Sequence, residues 1–308
     1  MLRAIYLGTP DFSVNPLLKL LERKDLVEVI AVVTNHDKPV GRKQILTACP
    51  VKQVAMENGI PVYQYNKIRC EGVEDIRSLN PDIMITCAFG QILSQELLDI
   101  PKLGVINVHA SLLPKFRGAS PIHYAILNGE EKTGVTIMKT DIGIDTGDML
   151  LSKEITIGEQ ETCGELFERL STLGADCLIE GLELIISGKA EFTKQDEDKA
   201  SYSKIIKKQD AKIDWTKTPN EIKNLVRAFN PAPVAYCELN NEPLKIYKVS
   251  ISNGKGEFGQ IIDSDKKLEV ACKDGSVLIE RLQKAGGKQM DVKDFLAGNK
   301  LSKGSFLG

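Results

Sequence analysis

Residues 104–127 read GVINVHASLLPKFRGASPIHYAIL. They open on a short β-branched run, Gly104–Val108, pass through a turn rich in Ser, Pro and Gly, and resume with helical spacing over Pro121–Leu127. A buried strand feeding a turn and then a helix is the repeating step of an α/β sheet. The same alternation extends outward on both sides. Strand-like runs stand at Leu2–Leu7, Val27–Thr34, Asp82–Cys87 and Gly134–Met138. Segments with helical spacing stand at Val14–Leu21, Val51–Asn58, Glu71–Leu79 and Ser94–Leu98. This order predicts a Rossmann-like, mostly parallel sheet covered by helices on both faces.

The stretch Thr162–Ser187 predicts one long amphipathic helix. Leu166, Phe167, Leu170, Leu173, Leu178, Leu182, Leu184 and Ile185 recur at three to four residues, and Thr162 with Glu165 forms a capping-box pattern at the start. After Gly188 the composition changes. Residues 189–204, KAEFTKQDEDKASYSK, are polar and aperiodic, which suits a linker. Beyond them stand one helix signal, Asn220–Phe229, and five short alternating runs: Ala235–Leu239, Leu244–Ile251, Gly259–Ile262, Leu268–Ala271 and Val277–Leu282. NN, NGKG, DSDKK and KDG turns separate these runs. Short strands with such turns predict a small OB-like β-barrel. The expected domains are therefore 1–188, a linker 189–204, and 205–308.

The chain has 308 residues, 42% hydrophobic and 27% charged, with mean hydropathy −0.14. That is globular composition with room for two domains. No run approaches the roughly 18 apolar residues of a membrane span. The start, MLRAIYLGTPDF, lacks the cleavage site of a secretory signal, so a cytoplasmic protein is expected. Seven cysteines, none in a CxxC spacing, are expected as reduced and mostly buried thiols. With three histidines in all, no metal site is expected. The first strand ends in Gly8-Thr9-Pro10, without the G-x-G-x-x-G that a nicotinamide dinucleotide requires.

Net charge is divided. Residues 1–204 hold 22 Lys/Arg against 29 Asp/Glu, whereas residues 205–308 hold 18 against 13. A basic C-terminal third fits a polyanionic partner, and it fits a lysine-rich solvated surface equally well.

Two motifs carry candidate chemistry. Asn107 and His109 are two apart at a strand end, so their side chains project on the same side. An amide donor beside an imidazole can stabilise an oxyanion and exchange a proton; a strand-end histidine satisfied by the next turn is the plainer alternative. The second motif is DIGIDTGD at 141–148, three carboxylates and two glycines in eight residues. It reads as turn chemistry or as a loop aiming one carboxylate at a histidine or a substrate. A calcium loop lacks the required spacing and terminal glutamate.

Together these motifs resemble the family of 10-formyltetrahydrofolate-dependent formyltransferases. The resemblance runs through GTPDF at 8–12, KPVGRK at 38–43, FGQIL at 89–93, NVHASLLPKFRGASPI at 107–122 and TGVTIMKTDIGIDTGDML at 133–150. It continues into KIDW at 212–215 and RAFNPAP at 227–233. Two departures are Cys49 in TACPVK, where relatives often have another proline, and Phe89, where many have tyrosine.

The resemblance implies Asn107, His109 and Asp145 as a catalytic trio. It implies a folate site lined by Ser111, Leu112, Leu113 and Pro114, with Phe89, Gly90, Gln91 and Ile92 near the pterin. Arg42, with Lys38 and Lys43 in the same loop, would approach the acceptor end of a tRNA. The implied co-substrate is 10-formyltetrahydrofolate, without metal, and the implied acceptor is the α-amine of methionyl-initiator tRNA, bound by a monomeric chain whose C-terminal domain assists. An amino-sugar nucleotide is the alternative acceptor for the same chemistry. KPVGRK and RAFNPAP favour tRNA over the sugar, and nothing in a purine-pathway formylation needs the basic C-terminal third.

Overall fold

The computed structural model describes residues 1–41 and 43–308, and Arg42 lies outside the described residues. The chain divides into two compact units. Unit 1 holds residues 1–121, 132–155 and 167–204; unit 2 holds 122–131, 156–166 and 205–308.

Unit 1 is built on β1 (Leu2–Gly8), β2 (Val27–Thr34), β3 (Lys38–Val40), β4 (Ile45–Thr47), β5 (Val62–Gln64), β6 (Ile83–Cys87), β7 (Val105–His109), β8 (Arg117–Gly118), β9 (Lys132–Lys139) and β10 (Met149–Thr156). Seven of these form one sheet in the order β10-β9-β7-β6-β1-β2-β5. The central pairs β6–β7, β1–β6, β1–β2 and β2–β5 are parallel, and β9 runs antiparallel to β7. β6 is buried throughout and β1 over its last five residues, as expected for strands covered on both faces. Ile5, Leu7, Ala31, Val33 and Met84 pack one layer with Ile68, Ile76 and Leu97.

From β1 the chain winds outward through β2 to β5, then returns to β6 on the other side. The carboxyl ends of β1 and β6 lie side by side, Gly8 opposite Cys87. This reversal is where an open α/β sheet presents a ligand crevice.

The helices of this half are α1 (Val14–Glu22), α2 (Pro50–Glu57), α3 (Ile68–Glu71), α4 (Val73–Ser78), α5 (Gln95–Leu98) and, from Phe167 on, the long α7 (Cys163–Ile186), whereas α6 (Pro121–Leu127) belongs to unit 2 from Ile122 on. The capping box is present: Thr162 N–H donates to Glu165 Oε2 at 2.8 Å and Glu165 N–H to Thr162 Oγ1 at 3.3 Å. Leu170, Leu178 and Leu182 are fully buried, and Phe167 meets Phe12 edge-on at 5.3 Å.

The structure departs from the sequence reading in several places. The 35–50 loop contains the antiparallel pair β3–β4. β5 and β10 are strands the periodicity did not indicate; β10 alternates only in its second half, and β5 has three residues. The stretch 189–204 carries more than a connection. Thr193 bridges Met149, Tyr202–Ser203 (β11) pair in parallel with β8, and Gln195 and Ser203 are buried.

Unit 2 centres on an antiparallel sheet of β12 (Ala235–Leu239), β13 (Glu242–Ser252), β14 (Ile261–Asp263), β15 (Leu268–Cys272), β16 (Gly275–Lys284) and β17 (Met290–Asp291). Its order is β12-β13-β16-β15-β14, with β17 on β16. The expected NN turn is there: Asn240 and Asn241 both have positive φ, 53° and 63°, as a two-residue hairpin requires. Register shifts around Lys248 bend β13 against β16. An antiparallel sheet bent in this way is compatible with the expected OB-like barrel. Besides α6 and the first turn of α7, the unit holds α8 (Pro219–Ala228), capped by Thr218 and Glu221, and α9 (Val292–Gly298). Ile222, Val226, Phe295, Ile246, Val270 and Ile279 form the unit's core.

Candidate active site

β7 delivers Asn107 and His109 to the carboxyl edge of the sheet. Thr86 of β6 stands in register with Asn107, and its hydroxyl donates to Asn107 Oδ1 at 2.9 Å. With its oxygen so engaged, the amide turns Nδ2 toward Asp145 Oδ1, 3.4 Å away.

His109 is 5% exposed, and its Nε2 lies 3.0 Å from the Phe116 carbonyl. A carbonyl only accepts, so Nε2 carries the hydrogen. Nδ1 is then the exchangeable nitrogen, and it faces Asp145 Oδ2 at 3.6 Å. The other contact on Oδ2 is the Gly118 N–H, at 2.7 Å.

The two readings of DIGIDTGD divide between its residues. Asp141 performs turn chemistry, accepting from the Gly143 N–H at 3.0 Å and the Thr146 hydroxyl at 2.8 Å. Asp145 takes a left-handed backbone, φ 55°, and aims its carboxylate back at β7. Such a conformation is uncommon outside glycine, although aspartate tolerates it better than most residues. Closing the loop requires glycine at 147, where a Cβ would collide with the Lys139 carbonyl oxygen. Lys139 N–H donates to Asp148 O and Thr140 N–H to Val105 O, each at 2.8 Å, which pins the loop's ends to the sheet.

Sequence reasoning missed the layer behind the trio. Arg117 is fully buried; Nη1 and Nη2 donate to the two Glu197 carboxylate oxygens at 2.9 and 2.7 Å, and Nη1 reaches the Tyr202 hydroxyl at 3.2 Å. Its Nε donates to Gln195 Oε1 at 2.9 Å. Gln195 Nε2 in turn donates to the backbone oxygens of Asp145 and Gly147, both at 2.8 Å. The guanidinium fork of Arg117 suits such a bidentate carboxylate. In the turn PKFRGAS nothing local sets Arg117 apart from Lys115, and the carboxylate it meets lies 80 residues on.

The residues expected near folate follow the ends of adjacent strands, 89–92 after β6 and 111–114 after β7. Ser111 is fully buried, its hydroxyl donating to Lys115 O at 2.6 Å and its carbonyl accepting from Thr136 Oγ1 at 2.7 Å. Leu113 is buried, and Leu112 and Pro114 are half-buried. The Phe89 side chain belongs to the sheet core while its carbonyl accepts from Asn35 Nδ2 at 2.8 Å. The Gln91 amide is wholly engaged, donating to Asn35 Oδ1 and Tyr65 O and accepting from Ile68 N–H. Gly90 is exposed with φ 78°, and Ile92 is 67% exposed. Of the tRNA candidates, Lys38 and Lys43 are exposed on the β3–β4 hairpin, and Arg42 lies outside the described residues.

Burial holds the Cys87, Cys163 and Cys237 thiols up at about 12, and five of the seven cysteines are buried. These thiols are core residues. Among the described residues no helix is long and apolar enough to cross a membrane.

A family model described as formyl transferase matches residues 2–182, and one described as formyl transferase, C-terminal domain, matches residues 205–300. A methionyl-tRNA formyltransferase of Geotalea daltonii is 48% identical over 100% of this chain and 98% of its own length. Those of Geobacter sulfurreducens and Clostridioides difficile are 48% and 45% identical, covering 100% of this chain and 97% and 100% of theirs. Among solved structures, an N-formyltransferase from Helicobacter canadensis in complex with folinic acid and dTDP-3-aminofucose superposes with TM-score 0.69 at 25% identity, covering 92% of this chain and all of that one. HypX from Aquifex aeolicus in complex with tetrahydrofolic acid shares the fold, with TM-score 0.65 at 17% identity over 100% of this chain and 50% of its own.

Proposed function

The chain belongs to the formyltransferase family, and from that premise we propose that it moves the formyl group of 10-formyltetrahydrofolate to the α-amine of methionyl-initiator tRNA, with Asn107, His109 and Asp145 around the reacting carbon. One observation carries the reading: these three side chains converge beside the sheet's switch point, in a chain that matches methionyl-tRNA formyltransferases over its whole length.

The chain's groups supply what the transfer needs. As the neutral amine bonds to the formyl carbon, the carbonyl π pair moves to oxygen. The Asn107 amide, turned by Thr86, offers an N–H to that oxygen. The amine's surplus proton passes to the Asp145–His109 pair and returns to the departing nitrogen as its bond to carbon breaks. His109 exchanges through Nδ1, because Nε2 is committed to Phe116. Asp145 steadies the charged imidazole, as a carboxylate within reach does. None of these steps requires a metal, since the folate carries the transferable carbon.

The segments 89–92 and 111–114 offer folate a crevice in which Gly90 and Ile92 are open and the Phe89 and Gln91 side chains hold the scaffold. Lys38 and Lys43, with Arg42 between them in sequence, meet the acceptor end, and residues 205–308, basic overall, hold the body of the tRNA. The protein works as a monomer in the cytoplasm, where translation starts. The sheet body together with residues 189–204 serves the chemistry, and the basic domain 205–308 serves tRNA binding.

The test is incubation with labelled 10-formyltetrahydrofolate and either charged initiator tRNA or an amino-sugar nucleotide. Label on the methionine is the expected result. Label on the sugar alone, the acceptor class of the solved Helicobacter enzyme, overturns the proposed acceptor.

A further inference from the structure

We propose that Gln195 is a positioning residue for the Asp145 carboxylate, held in that task by Arg117; this rests on the catalytic role proposed for Asp145. The amide of Gln195 is saturated. Its two N–H bonds end on the carbonyls of Asp145 and Gly147, each at 2.8 Å, and its oxygen accepts from Arg117 Nε at 2.9 Å. Only a group with two donors on one nitrogen and an acceptor beside it can make this arrangement, which is an amide.

The two carbonyls bracket Thr146 in the turn whose residue 145 has φ 55°. Aspartate adopts a left-handed backbone at a modest cost, and bonds from outside the turn to the carbonyls on either side of Thr146 offset that cost. Gln195 does so from within a buried environment, at 9% exposure. Arg117 fixes the amide's orientation: reversed, it would present N–H to a guanidinium N–H and oxygen to two carbonyls. Glu197 and Tyr202 fix Arg117 in turn. Arg117 and Gly118 are consecutive in β8, so one two-residue strand orders the loop backbone through Gln195 and the carboxylate through the Gly118 N–H. β8 is itself paired with β11, at the end of the same 195–203 stretch.

The segment after α7 therefore completes the catalytic carboxylate. Displacing that carboxylate by about 1 Å is enough to lower a rate by roughly 10². Loss of Gln195 should act on turnover and leave both substrates' binding nearly alone, since Gln195 bonds the backbone of the Asp145 loop and none of the segments proposed to bind folate or tRNA.

The experiment measures kcat and KM for both substrates in wild type, Gln195→Leu, Gln195→Glu, Asp145→Ala and the double variants Gln195→Leu/Asp145→Ala and Gln195→Glu/Asp145→Ala. Thermal melting of each variant is followed alongside. Gln195→Leu is expected to lower kcat about 10–100-fold with KM within about twofold, and to lower it no further in the Asp145→Ala background. Gln195→Glu keeps the Arg117 partner but turns a second oxygen on the two carbonyls, and it should lose kcat similarly. If Gln195→Leu does not melt cooperatively, Gln195→Glu decides by the same comparison. Unchanged kcat, a loss confined to KM, or an equal further loss on top of Asp145→Ala overturns the proposal. Near-normal activity of Asp145→Ala alone would instead overturn the catalytic assignment on which it rests.

Discussion

His109 and Phe116 are joined by a 3.0 Å bond from imidazole Nε2 to backbone oxygen, seven residues apart across the turn that follows β7. That bond fixes the tautomer of the neutral ring and leaves Nδ1 as the nitrogen that meets Asp145. A ring so held cannot swing to an alternative partner.

His109→Ala and Asp145→Ala should each lower kcat by about 10²–10⁴ while the dissociation constants of folate analogues stay within about twofold. Groups that act in the transition state appear in kcat. Steady-state kinetics with fluorescence titration of a folate analogue checks both; near-normal turnover of His109→Ala would remove the ring from the mechanism.

Thr86→Val should lower kcat about 10-fold at nearly constant shape, because the Asn107 amide loses the hydroxyl that orients it at 2.9 Å. Thr86→Ser keeps the hydroxyl and should recover most of the rate. Equal rates for the Val and Ser variants would show that the amide is oriented by something else.

Lys38→Ala/Lys43→Ala should weaken binding of charged tRNA and flatten its salt dependence by about one to two in slope, as expected for lost phosphate contacts. Arg42→Ala should impair tRNA turnover severely and Arg42→Lys recover little, since a lysine lacks the planar fork. Filter binding across a salt series reads these effects, with folate affinity as the control that should not move.

Glu269 in unit 2 gives a pH signature. Burial pushes its carboxyl up, but the Lys267 ammonium and the Ser276 and Ser252 hydroxyls outweigh it and hold the group at about 2, below its ordinary 4.5. A depressed carboxyl contributes stability that is present above about 4.5 and is lost as pH falls toward 2. The ceiling on that contribution is about 3 kcal/mol, lowered by the solvent around the half-exposed Lys267. Glu269→Gln should therefore destabilise unit 2 near neutral pH and remove part of its acid sensitivity, as read by urea melts at pH 7, 4.5 and 3.

What the sequence disclosed and what it hid follow from distance along the chain. β6 beside Asn107 reads as a nearly continuous apolar run, and that pattern survives folding because both faces of the sheet are covered. Asn107 and His109 were legible because they share a strand and therefore a face. Asp145 could be singled out from Asp141 and Asp148 only by family resemblance; its left-handed φ shows why it, and not its neighbours, faces the histidine. Arg117, Gln195 and Glu197 were illegible for a different reason. Their partners are 78–80 residues away, and no local period encodes such a pairing. β5 and the β3–β4 pair were missed because three residues are too few to show alternation.

Unit 2 takes residues 122–131 and 156–166 from the middle of the chain and joins them to 205–308. On a ribosome, α6 emerges long before Phe229, against whose ring His123 is to lie. At roughly 5–20 residues per second, the interval between Glu131 and the last residue of unit 2 is on the order of 10–35 s. During that time Ile122, Ala125 and Ile126, all buried in the finished protein, have only solvent, nascent neighbours or a chaperone to cover them. The timetable of synthesis thus runs against the order of assembly, and a nascent chain stalled or truncated before unit 2 is complete leaves the apolar face of α6 uncovered.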